Sequence, residues 1–212
     1  MRKAQAIASI CSAAASYHDN YEGKKLLFIS YKPSSGECIS MEAVFDRTCF
    51  LHLTGVKFLS NARYDANVFY DRCLSGKLSP NDFDFAPDGT TELKLQILPA
   101  VFSSRYLGAK MMGDFNNTGS KLYTEKLAGG SRACVGFRKD AERNIFVPNT
   151  FLNDDIRHRV IYHYQVVAVF IQNAKDADYS ESVYYAKNAK WNAVEFPPKY
   201  RHLPFPEWFV NS

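Results

Sequence analysis

The chain has 212 residues, 46% hydrophobic and 15% aromatic, which supplies one sizeable core and excludes a mostly disordered segment. Its formal charge of +4, from 26 Lys+Arg against 22 Asp+Glu, tolerates an anionic partner such as nucleic acid without demanding one. Five scattered cysteines with no CxxC pair argue against a disulfide framework or structural zinc. No apolar run reaches bilayer-spanning length, so a soluble cytoplasmic protein with reduced thiols and no membrane partner is expected.

After Arg2 and Lys3, "AQAIASICSAAAS" faintly resembles a signal peptide but lacks a run of large aliphatics. An alanine-rich amphipathic helix over 4–18 accounts for it as well. "KLLFISYK", "CISMEAVF" and "CFLHLTGV" follow, separated by the turns "PSSGE" and "DR", and read as a three-stranded meander. On the third run, alternation would place Phe50, His52, Thr54 and Val56 on one face. "ARYDANVFYDRCLSG" has Ala62, Ala66, Phe69, Tyr70 and Cys73 at helical spacing and closes on Gly76.

Residues 79–91 are rich in turn formers and read as a loop. The stretch 91–98 fits a strand by its alternating leucines and a helix by Leu95, Leu98 and Phe102, with Pro99 against a continuous helix; 100–112 reads as helix. Beyond "NNTGS", four β-type segments ("KLYTEKLAG", "ACVGFRKD", "NIFVPN" and "YHYQVVAVFIQN") suggest a late antiparallel sheet. The proline- and aromatic-rich tail, 191–212, reads as an extended arm packed on the body. With no linker or repeat, residues 1–212 are expected to form a single domain.

No Walker loop, GxGxxG, GxSxG or HExxH is present. His158 and His163 lie five apart, on opposite faces of a strand, which suits a zinc site poorly. What remains is chemistry built from scattered His, Thr, Lys, Arg and Asn. RNA cleavage fits that inventory: the ribose 2′-OH is the nucleophile, an imidazole exchanges its proton, and cations stabilise the phosphorane. His52 with Thr54, Lys94 between leucines, Lys121, Lys126 and Arg132 around a glycine turn, and Asn149, Thr150 and Arg157 in "VPNTFLNDDIR" are the candidates. Each also has a purely structural reading: a hydrogen-bonded half-buried residue, a solvated face or hairpin, or a turn and cap.

In order, "FLHLTGV", "FYDRCLSGKLSPNDF", "DGTTELKLQILPAV", "AKMMGDF", "YTEKLAGG", "VGF" and "FVPNTFLNDDIR" resemble a family of phage and mobile-element proteins. It is the fourth group of phage nuclease-like domains in the barnase, EndoU, colicin and RelE (BECR) superfamily, and the resemblance spans about 48–173. It implies a metal-independent endoribonuclease with no cofactor, acting on RNA in a host cytoplasm, with a protein inhibitor or antitoxin as a possible partner. The fold it implies is α+β: here an N-terminal helix and short β meander, then helices packed on a four-stranded antiparallel sheet.

Carried onto this sequence, His52 is the general base or acid and Thr54 orients it or the phosphate. Lys94, Lys126 and Arg157 are then expected to stabilise the phosphorane, while Asn149 and Thr150 position the scissile nucleotide; Arg132 is expected as a further phosphate contact from its place beside the glycine turn, not from the resemblance. The opening motif also resembles ADP-ribosyltransferase-like proteins, in which a strand His-x-Thr contacts NAD; Glu125 is the nearest candidate for the glutamate that class requires. A non-catalytic interaction protein on a nuclease-like scaffold is the third reading.

Overall fold

Ala6, Ile10, Ala13, Ala14 and Tyr17 recur at helical spacing and form the buried stripe of helix α1 (Lys3–Asn20). At its start the Arg2 amide donates to Gln5 Oε1 at 2.9 Å, satisfying one of the orphan donors of a helix end. The computed structural model describes residues 1–59, 66–118, 122–189, 191 and 194–203. The expectations placed on Ala62, Lys121 and the arm beyond Leu203 lie outside them.

Strand β1 (Lys24–Tyr31) pairs antiparallel with β2 (Cys38–Phe45) over eight residue pairs. The next segment departs from the expected third strand. Residues 49–54 form a short helix, α2 (Cys49–Thr54), whose buried positions Cys49, Phe50, Leu53 and Thr54 follow a helical stripe. A short apolar run fits both periods, and here the packing against the core decides for the helix. Gly55, at φ +70°, ends it in the left-handed conformation that a side chain disfavours. Only then does a brief strand begin, β3 (Val56–Phe58), paired with β4 (Phe83–Phe85) inside the stretch read as a loop. Between them lies helix α3 (Ala66–Leu74).

The ambiguous stretch is helical: α4 runs Thr90–Phe102 with Pro99 inside it. Proline removes the amide that would bond the Leu95 carbonyl, and Ser9 Oγ of α1 donates to that carbonyl instead. The helix expected over 100–112 stops at Phe102. Leu107 and Gly108 both take positive φ, reversing the chain into strand β5 (Met111–Asp114).

The remaining strands are β6 (Lys126–Gly129), β7 (Cys134–Asp140), β8 (Ile145–Leu152), β9 (Tyr164–Asn173) and β10 (Glu181–Tyr185). The α+β class stands, but the four-stranded antiparallel sheet does not. Among the described residues the main sheet has eight strands in the order β1-β2-β8-β7-β6-β5-β9-β10, and β1 also pairs with β9. It is mixed, since Ala43 of β2 meets Phe146 of β8 in parallel. The early hairpin is therefore built into the main sheet rather than added beside it.

Strand β1 is buried on both faces because each face has its own cover. Leu26 and Phe28 join the large core formed with the four helices, while Leu27, Ile29 and Tyr31 join a second cluster. Tyr179, Trp191, Val194, Phe196, Tyr200 and Leu203 complete that second cluster, so the described part of the arm packs on the sheet's outer face.

Candidate active site

His52 projects from α2 into solvent at the mouth of a cavity of about 370 Å³. Arg138 of β7, Asn149 of β8, Asp46, Arg143 and Tyr123 line the same cavity. Arg143 is bound to neighbours: its guanidinium pairs with Asp46 at 2.7 Å and Asp140 at 2.9 Å. Hydrogen bonds from the Arg143 amide and side chain hold the Asp140 carboxyl below its ordinary range. Arg138, exposed at the cavity wall, makes no side-chain hydrogen bond or ion pair among the described residues.

Asn149 owes its position to an irregularity in the ladder. Phe137 faces Pro148 and Gly136 faces Thr150, which leaves Asn149 as the extra residue of a β-bulge. Pro148, which cannot donate to a ladder, is tolerated at that break. The Asn149 amide then ties down the segment entering β6: Nδ2 donates to the Tyr123 carbonyl and Oδ1 accepts from Thr124 Oγ1 at 3.3 Å. Gly136 is required opposite, because a Cβ there would come within 2.5 Å of Thr150 Cγ2 and 2.8 Å of Thr124 Cγ2.

Thr150 faces a second cavity of about 340 Å³, shared with Lys94, Leu122, Asp88, Asp154 and Arg159. Lys94 Nζ lies 3.5 Å from Thr150 Oγ1, the outer limit of a hydrogen bond. The lysine stem passes against Gly55, where an added Cβ would meet Lys94 Cδ at 2.8 Å. Burial pushes the Lys94 amine below its ordinary pKa, and the charge of Asp88 opposes that only in part. Arg159 is held by Asp154 at 2.6 Å. A third cavity of about 620 Å³ shares Leu122 with the second and Tyr123 and Arg138 with the first, so the three form one run of depressions along the 122–125 segment.

The family described as phage-Barnase-EndoU-ColicinE5/D-RelE like nuclease4 (PBECR4) matches residues 9–188. The chain belongs to that family. No curated protein and no solved structure matches it significantly. The PBECR4 match runs from within α1 to just past β10, further in both directions than the stretch 48–173 legible from motifs. The arm that seals the outer face of β1 lies beyond it.

Not every expected residue of this PBECR4 chain reaches the cavities. Thr54 is fully buried; its hydroxyl donates to the Leu51 carbonyl at 2.7 Å and accepts from the Val56 amide at 3.3 Å, locking the end of α2. Lys126 is paired with Asp114 at 2.5 Å. Arg132 sits exposed in the β6–β7 turn. Arg157 grips Asp155, and that hydrogen-bonded pairing holds the carboxyl down at about 2. His158 lies 3.3 Å from Asp154. Glu125 accepts from the Lys139 amide at 2.7 Å, and the strand His-x-Thr on which the transferase likeness depends is a helix.

Two functional candidates escaped the sequence reading. Arg138 sits in "VGFRKD" as an ordinary strand cation opposite Val147, and only the tertiary packing of α2 and β8 beside β7 brings His52 and Asn149 to the same cavity. Tyr123 lies inside "KLYTEKLAGG", and the residue is 91% exposed. An aromatic flanked in sequence by Lys121 and Lys126 was the available signal.

Proposed function

We propose that the chain is an endoribonuclease that cleaves RNA by attack of the ribose 2′-OH on the adjacent phosphate, using its own side chains rather than a bound metal. The observation that carries this reading is the convergence of His52 from α2, Arg138 from β7 and Asn149 from β8 on one cavity. His52 takes the 2′-OH proton as the O2′–P bond forms. Arg138 balances charge on the phosphorane, and the P–O5′ bond breaks as O5′ takes up a proton from solvent. Asn149 acts as a positioning residue through the Tyr123 carbonyl and the Thr124 hydroxyl, and Lys94 beside Thr150 supplies further positive charge one cavity away. The phage association in the family's description extends the proposal to action in a host cytoplasm.

The test is incubation of the protein with a defined RNA in excess EDTA. Products ending in 2′,3′-cyclic phosphate are expected, with no cut 3′ to any nucleotide whose 2′-OH is replaced by hydrogen. Loss of cleavage in EDTA, or equal cleavage of DNA, would overturn the reading.

Lys94→Met separates charge from packing. The Met stem keeps the contact with Gly55, while a half-buried amine whose charged form is disfavoured there is removed. Cleavage is expected to fall roughly 10²-fold, as for other lost stabilising donors, with the thermal midpoint unchanged or raised. Initial rates and a melting curve on the same preparation check both parts.

A further inference from the structure

The segment Leu122–Glu125 separates the cavity holding His52 and Arg138 from the one holding Lys94 and Arg159. Its backbone is held at several points. Asn149 binds the Tyr123 carbonyl and the Thr124 hydroxyl, and the Glu125 amide donates to the Phe137 carbonyl at 2.8 Å. Thr124 is buried against Gly136, at 1% exposure. Yet the neighbouring Tyr123 side chain is almost wholly in solvent. A tethered backbone that presents a bare aromatic ring between the cavity of Arg138 and the cavity of Lys94, two cations outside the Asp46–Arg143–Asp140 and Asp154–Arg159 pairs, contributes little to the core.

Such a ring suits one ligand chemistry. An unpaired nucleobase stacks on an aromatic face, while the phosphates on either side need cations within a nucleotide's reach. A base inside a duplex has both faces covered and cannot use the ring. We propose that Tyr123 is the stacking platform for an unpaired base next to the scissile phosphate, and that it confines cleavage to single-stranded RNA. The inference rests on the endoribonuclease reading and adds to it a specificity-determining residue and a structural class of substrate. Asn149 sets the platform's position through the Tyr123 carbonyl, so the side chain can be changed without breaking that bond.

The test uses a single-stranded oligoribonucleotide carrying 2-aminopurine, fully 2′-O-methylated so that it binds without being cut, and the same sequence closed into a hairpin stem. Fluorescence quenching reports stacking on the ring. Against wild type, Tyr123→Ala is expected to bind the single strand roughly 5- to 150-fold more weakly and to lose the quenching, whereas Tyr123→Phe stays close to wild type. On the unmethylated strand, Tyr123→Ala raises KM more than it lowers kcat, because a base stacked equally in ground and transition states contributes uniform binding.

Wild-type cleavage of single strands together with undiminished binding by Tyr123→Ala would overturn the platform and leave the nuclease reading standing. Equal cleavage of stem and single strand would do the same. A wild-type protein that neither binds nor cuts RNA would overturn both.

Discussion

If the chain cleaves RNA as proposed, replacing His52 by alanine is expected to lower the rate by roughly 10²–10⁴-fold, the usual contribution of a positioned general acid or base, and to leave the fold intact. The two halves of this expectation have separate causes. The apolar anchor of α2 is Cys49, Phe50 and Leu53, all packed in the main core, while the His52 side chain lies on the solvent side. Truncation therefore opens no cavity, and alanine favours the helix at least as well as histidine. Unfolding midpoints of the two proteins should coincide. Binding of a 2′-O-methylated RNA should change little, since the cations and the Tyr123 ring remain. Exogenous imidazole should restore part of the rate, because the cavity at His52 is open and of ample volume for a small base. Cleavage by His52→Ala at the wild-type rate would remove His52 from the chemistry and move the base to another group along the depressions.

The regions where the chain was legible are those where one periodicity dominates. The stripe of α1 follows from residue spacing alone, and β1 from a short apolar run bounded by turns, although the elements that cover its two faces do not. The α2 segment misleads because six residues hold too few turns to separate period 2 from period 3.6. Its fate was decided by Phe50 packing against Tyr17, Tyr70 and Phe102, partners distant in sequence. Pro99 misleads for a similar reason, since the hydroxyl that satisfies the freed carbonyl comes from Ser9, 86 residues away. At the candidate site, His52, Asn149 and Lys94 were readable as residue types. The bulge that turns Asn149 toward Tyr123 is a property of the β7–β8 register, and no local signal announces it. Lysines and arginines were the least legible, because whether a cation faces a ligand or a carboxylate depends on its neighbours in space. Lys126 and Arg157 found carboxylates; Arg138 did not.

The largest loss of stability is expected from Tyr17→Ala. Tyr17 is fully buried and is the hub of the aromatic core, with ring centroids 5.1–6.3 Å from those of Tyr21, Phe45, Phe50, Tyr70 and Phe102. Those rings come from α1 and its C-terminal edge, β2, α2, α3 and α4, so removing the central one weakens the packing of every helix against the sheet. Large-to-alanine truncation at such a site costs about 3–5 kcal/mol, which for a protein of this size lowers the thermal midpoint by roughly 10–15 °C.

Tyr17→Phe isolates a smaller effect. The phenol donates to the Asp46 carbonyl at 2.8 Å, and burial pushes its pKa far up, so it remains a donor throughout the physiological range. Losing that bond costs about 1 kcal/mol and leaves the Asp46 carbonyl short of a partner. Asp46 also holds Arg143 at the cavity, so the phenylalanine variant should lose some cleavage rate at temperatures where it is fully folded. A melting curve for both variants, with cleavage assayed well below either midpoint, separates the core's contribution from the site's. A Tyr17→Ala protein that melts with wild type would show that the rings close over the gap, and that α2 is held in place by something other than this cluster.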